Sequence, residues 1–191
     1  MIKKLNITAL LIMLVFVNQL FAQSDKILLY GSCNFDEANK LSEYLKTTSN
    51  IDLTFEINNE DNLVFSKNTI IFLCGNSYLK LSETQIQELN KMILNGSLLL
   101  IDNYKSDYTL SIFLKKMLAE YPEKNNSLAE VLKNNPYKVN FEQLQFNTKQ
   151  VYISEKLRVL ALKENSIFES KFNDNNLRLG SSIIFNYLIG N

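Results

Sequence analysis

Apolar residues in this chain fall into two patterns: short unbroken runs, and stripes that recur every three or four positions. The plainest case lies between Asn68 and Tyr104. Thr69 to Cys74, with the run Ile70-Ile71-Phe72-Leu73, predicts a strand buried on both faces. Ser82 to Leu94 then places Ile86, Leu89 and Ile93 at helical spacing, and both ends of that helix are marked. Ser82 and Gln85 match a capping box, Leu81 and Ile86 a hydrophobic staple, and Asn95-Gly96 a left-handed stop. A second buried strand, Leu98-Leu99-Leu100-Ile101, ends in Asp102-Asn103-Tyr104. Strand, helix and strand make a β-α-β unit, and in such sheets ligands and chemistry gather where the strands end.

The rest of the chain continues the alternation. Lys26 to Gly31 reads as a short buried strand. Asn34 and Glu37 read as a capping box opening a helix with Ala38, Leu41 and Leu45 on one stripe. Ile51 to Ile57 alternates strictly, which predicts a strand with one solvated face at the sheet edge. Leu110, Phe113, Leu114, Met117, Leu118 and Tyr121 predict a helix from about Thr109 to Tyr121, closed by Pro122. Ser127 caps a shorter helix, Val151–Ser154 and Leu157–Leu162 read as a strand pair, and the last helix covers about Asn176 to Leu188. The expected fold is α/β: a mostly parallel, flavodoxin-like three-layer sandwich in one domain, with the first and third strands adjacent at the switch point.

The N-terminus changes the picture of where the chain works. Lys3 and Lys4, an apolar run from Ala9 to Val17, and Ala22 before a polar start match a secretory signal peptide cleaved after Ala22. The uncharged span from Leu5 to Ser24 approaches the length of a membrane anchor, but Asn6, Thr8, Asn18 and Gln19 shorten its apolar core. The expectation is therefore a periplasmic or secreted bacterial protein with no membrane insertion after cleavage. Loss of residues 1–22 from 191 leaves 169, one domain's worth, with 18 basic against 20 acidic side chains. That balance steers the surface toward neither nucleic acid nor an anionic membrane. Asn95-Gly96-Ser97 and Asn125-Asn126-Ser127 match glycosylation acceptors by chance in such a chain.

From about Lys67 onward, the order of several elements carries a resemblance. These are the strand before Cys74-Gly75, the helix from Leu81 to Gly96, the strand Leu98 to Asp102, the helix ending at Tyr121-Pro122, Asn135-Pro136-Tyr137, the strand Leu157-Arg158-Val159-Leu160, and the helix from Leu179-Gly180 to Tyr187-Leu188. The chain resembles a bacterial family known as domain of unknown function 4159, which looks like a derivative of the class I glutamine amidotransferase-like fold. The resemblance implies that fold over roughly two thirds of the chain. It also exposes departures. Gly75-Asn76 stands where the family usually has Gly-His, Asp102-Asn103 where it often has paired aspartates, and Asn135-Pro136 where it has His-Pro.

In the amidotransferase-like scaffold a nucleophilic Cys would occupy the turn after the fourth strand, with a His as base. Here that turn is Asp102-Asn103-Tyr104-Lys105, and the chain contains no histidine. Neither a Cys-His nor a Ser-His arrangement can be built, and a catalytic zinc lacks its usual imidazoles. Cys33 and Cys74, the only cysteines, fall just past strands expected to be neighbours. A disulfide between them would close a loop of about 40 residues and add about 3–4 kcal/mol. The reading preferred from sequence is two partly buried free thiols, because spacing does not give a Cα separation. Asp102 with Glu83 or Asp107 offers calcium a weak oxygen set, and Ser32-Cys33-Asn34 offers an anion a helix start; loop and helix caps explain both better. No metal or cofactor is expected.

The candidate ligand cleft is Ser32, Cys33, Asn34, Gly75, Asn76, Ser77, Asp102, Asn103 and Tyr104. The expected role is a non-catalytic, exported binding or assembly module, whose partner is an envelope protein or a small polar ligand. The alternatives are a hydrolase using Cys74 or Asp102, and a structural subunit of a cell-envelope complex.

Overall fold

The computed structural model describes residues 25–31, 33–57, 70–74, 81–104, 108–121, 128–133, 136–143, 148–162 and 174–189. The signal-like segment lies outside them. Six strands form one sheet: β1 (Asp25–Gly31), β2 (Leu53–Ile57), β3 (Ile70–Cys74), β4 (Leu98–Asp102), β5 (Thr148–Ile153) and β6 (Lys156–Leu162). Five helices accompany it: α1 (Phe35–Ser49), α2 (Glu83–Leu94), α3 (Tyr108–Glu120), α4 (Leu128–Val131) and α5 (Asp174–Ile189). The strand order is β2-β1-β3-β4-β6-β5. All neighbours pair parallel except the β5–β6 hairpin. This is a single-domain, three-layer α/β sandwich of flavodoxin-like order, with an antiparallel strand added at one edge.

Each central strand is buried on both faces, and side-chain alternation divides its residues between two cores. On one face Ile27, Leu29, Ile70, Phe72, Leu98 and Leu100 pack under Ala38, Leu41 and Leu45 of α1 and Leu179, Ile183 and Ile184 of α5. On the other, Ile71, Leu73, Leu99, Ile101 and Val159 pack under Leu89 and Ile93 of α2 and Leu110, Phe113, Leu114 and Met117 of α3. The continuous apolar runs of β3 and β4 thus follow from two-sided burial. The alternation in β2 follows from its edge position, where Leu53 and Phe55 are buried and Thr54 is exposed.

Local signals set most boundaries. Ser82 Oγ accepts from Gln85 N at 3.2 Å, and Gln85 Oε1 accepts from Ser82 N at 2.8 Å, so the capping box of α2 is complete. Gly96 takes the left-handed turn after that helix, at φ 107°. Two features of α1 differ from the sequence reading, and β5 begins at Thr148, three residues before its expected start at Val151. At the start of α1, Asn34 caps by accepting from Asp36 N and Glu37 N, but Glu37 does not reach back: its carboxylate pairs with Lys40 instead. At the end of α1, Asn50 adopts φ 54° and Ile51 N bonds to Leu45 O at 3.3 Å. That closing motif holds Ile51 off the ladder, so β2 begins at Leu53.

A short stretch after α4 is clamped over α1 and α5. The Tyr137 ring lies 5.8 Å from that of Tyr44 and edge-on to Phe185 at 5.9 Å, and its hydroxyl hydrogen-bonds with Ser49. Tyr137 of the Asn135-Pro136-Tyr137 element is therefore a buried packing residue; Asn135 lies outside the described residues.

Candidate functional site

The ends of β1, β3 and β4 meet in register. Gly31 pairs with Cys74, and Cys74 pairs with Asp102, so three adjacent strands finish in one row. Alternation puts Cys74 and Asp102 on the α1/α5 face, because Phe72 and Leu100 point there two positions earlier. Cys33 arrives at this row from the turn leading into α1.

Cys33 and Cys74 are joined in a disulfide, with Cα atoms 5.1 Å apart. This corrects the expectation of two free thiols. The reason is strand order: β1 and β3 are direct neighbours in equal register, which brings residues 41 positions apart in sequence within bonding reach. The bond crosses the gap between β1 and β3, the switch point at which doubly wound sheets open for ligands. Neither sulfur is then available as a thiolate, and Cys74 cannot act as a nucleophile while the bond stands.

Asp102 is buried, 2 % exposed, at the end of the row. The next residue, Asn103, sits at φ 56°, in the left-handed region, at the elbow where the chain leaves β4. Asn tolerates this region better than other residues with a Cβ. Tyr104 turns to the opposite layer, packing against the α2/α3 core, and its carbonyl accepts from Ser111 Oγ at 3.0 Å. Asp102 and Tyr104 were expected to line one cleft; the structure points them to different sides of the sheet.

The first turn of α1 offers little to an anion. Asn34 already takes the amides of Asp36 and Glu37, and both of those side chains are acidic, so they answer the positive end of the helix. Glu37 itself is 5 % exposed: one carboxylate oxygen pairs with Lys40, and Oε2 has no hydrogen-bond partner among the described residues. Ser32, Gly75, Asn76 and Ser77 lie outside the described residues. Of the candidate cleft, the structure thus brings Cys33, Asn34, Cys74 and Asp102 to one corner and sends Tyr104 away. Among the described residues no three His, Cys, Asp or Glu side chains cluster to hold a metal ion, and no helix is long and apolar enough to cross a membrane.

A feature not foreseen from sequence lies at the other end of the strands. A cavity of about 150 Å³ opens where β4 and β6 begin, between α4, the β5–β6 turn and the last turns of α5. Its lining residues come from five separate elements (β4, α4, β5, β6 and α5), so no local sequence pattern marks it. Comparison of the chain with protein-family models, with curated proteins and with solved structures finds no match to any of them.

Proposed function

We propose that this chain is an exported, non-catalytic module that works by recognition or assembly on an amidotransferase-like α/β scaffold. The observation that carries this reading is the state of the strand-end corner. The only two cysteines are tied to each other, an asparagine tips the elbow after β4, and the chain has no imidazole to activate a hydroxyl. Asp102 remains as a buried carboxylate at the end of the row. Departure from the resembled family's polar positions at Asn76, Asn103 and Asn135 supports the same reading.

The assembly form is supported by the surface of α3. Tyr108 is 82 % exposed and Ile112 38 %, one helical turn apart, just beyond the β4 elbow. Such a pair suits an anchor for an envelope partner. Export is supported by the residues preceding Gln23, and the partners in view are envelope proteins or a small polar ligand.

Two measurements test this. Secreted or periplasmic protein should begin at Gln23 by intact mass, and purified mature protein should give no turnover on esterase, amidase and glycosidase panels. Turnover that disappears in Asp102→Asn would replace this reading with a carboxylate hydrolase. Protein recovered only from the cytoplasm would remove the exported part.

A further inference from the structure

The turn that joins α2 to β4 holds the one Asn-Gly pair in the chain, Asn95-Gly96. Leu94 and Asn95, at the end of the helix, are both exposed. Glycine after asparagine matters chemically, because no Cβ shields the peptide nitrogen that follows the side-chain amide. When the Gly96 nitrogen attacks Asn95 Cγ, the carbon–nitrogen bond of the side-chain amide breaks. Ammonia leaves, carrying the proton that the Gly96 nitrogen gave up, and a succinimide ring closes. Water then opens either carbonyl of the ring. One product is aspartate at position 95; the other is isoaspartate, in which the main chain runs through the former side chain.

The fold holds that reaction back. Asn95 sits at φ −82° and ψ 3°, which turns the Gly96 nitrogen away from the side chain, whereas ring closure needs the two nearly eclipsed. The Gly96 N–H is also engaged: it donates to Ile93 O at 3.1 Å, and Ser97 N donates to Met92 O at 3.0 Å. On its other side Gly96 is tied to two further elements. Its carbonyl accepts from Tyr187 Oη of α5 at 2.9 Å and from Arg158 Nη1 of β6 at 2.6 Å. Side chains 91 and 62 positions away in sequence therefore pin the residue that must turn.

We propose that Asn95 is a slow modification site that converts to isoaspartate, and that the Tyr187 and Arg158 bonds to Gly96 O set its rate. The reaction proceeds only when the end of α2 opens far enough to release Gly96, a local opening short of global unfolding. The product alters the fold around it. Isoaspartate lengthens the main chain just before the pinned carbonyl, so both hydrogen bonds lose their register. Either product also adds negative charge at the C-terminal end of α2, where the helix dipole opposes it. The turn lies at the opposite end of β4 from the Cys33–Cys74–Asp102 corner, so this proposal stands or falls apart from the turnover and export tests above.

The test is incubation of the purified protein in mildly alkaline buffer, folded and in urea, with peptide mapping that separates asparagine, aspartate and isoaspartate. In urea, isoaspartate should appear first at position 95. In the folded protein the same conversion should be about a hundredfold slower. Tyr187→Phe should speed the folded reaction about fivefold and Arg158→Met about tenfold, each by removing one bond to Gly96 O. Ile27→Val is the control: it loosens the buried core at β1 without touching Gly96, and should leave the folded rate unchanged. Rates in urea should be the same for the wild type and every variant. Equal rates folded and in urea, first conversion in urea at another asparagine, a folded rate unmoved by Tyr187→Phe and Arg158→Met, or Ile27→Val as fast as Tyr187→Phe would each overturn the proposal.

Discussion

Four residues other than glycine hold positive φ among those described: Asn50, Asn103, Ser154 and Glu155. The chain has only five glycines, so its tight turns fall to other residues. Asparagine meets the demand cheaply, because its short amide tolerates the left-handed region. At the β4 elbow that property is structural, and Asn103→Ala should cost about 1 kcal/mol, read as a Tm lower by roughly 3 °C. Glu155 lacks the same tolerance. Replacing Ser154 and Glu155 with Asn and Gly should raise stability by about 1 kcal/mol, seen as a higher urea midpoint at unchanged slope. A fall in stability would mean that these side chains make contacts worth more than the backbone strain. Sequence reading found this strand pair but set its turn one residue late, at Glu155-Lys156 with Ser154 in the strand, and gave no hand for the turn. Turn geometry depends on how the two strands are registered, and that is settled by packing beyond the hairpin.

At the level of elements, the β3-α2-β4 unit shows how local and long-range terms combine. Gln85 completes the cap with its side-chain oxygen, and its Nε2 donates to Tyr30 Oη of β1 at 2.9 Å. One buried side chain therefore fixes the start of α2 and ties it to a strand 55 residues earlier. Gln85→Ala should cost about 2 kcal/mol, more than the ~1 kcal/mol of a simple cap loss, because the Tyr30 hydroxyl also loses its donor. Leu89→Ala removes a fully buried side chain beneath the same helix and should cost 2–5 kcal/mol in urea unfolding. If Gln85→Ala cost no more than Ser82→Ala, the Tyr30 bond would add nothing. The cap was legible because Ser82 and Gln85 lie within one turn. The Tyr30 bond was not, because nothing in the sequence near Gln85 names its distant acceptor. Likewise, Glu37 stood in capping-box position, yet Lys40, one turn along the same helix, captured its carboxylate.

For the whole molecule, the sheet order decides more than any single element. Placing β1 beside β3 joins Cys33 to Cys74 and closes the switch point with a covalent bond. The bond closes a long loop across the middle of the sheet, so replacing both cysteines with alanine should cost about 4 kcal/mol in the chain-entropy account. Mapping under non-reducing conditions should recover the two cysteine peptides as one linked species. Recovery of two alkylated thiols from protein purified without reductant would refute the pairing. The reduced chain is the less stable form, so reductant in urea unfolding should lower the midpoint of the wild type but not of the double alanine variant.

The amino-acid order alone determined the alternation of strands and helices, the two-faced burial of β3 and β4, the stripe of α1 and the capped ends of α2. It also determined that no imidazole chemistry is available. Each of these depends on periodicity or on pairs within a turn or two, which a linear reading can see. Only the tertiary structure decided that Cys33 meets Cys74, that Asp102 and Tyr104 face opposite layers, and that a cavity opens where β4 and β6 begin. Those contacts join residues dozens of positions apart. They are set by strand order, by register and by which side of the pleat each strand end presents, and packing of the whole sheet chooses all three together.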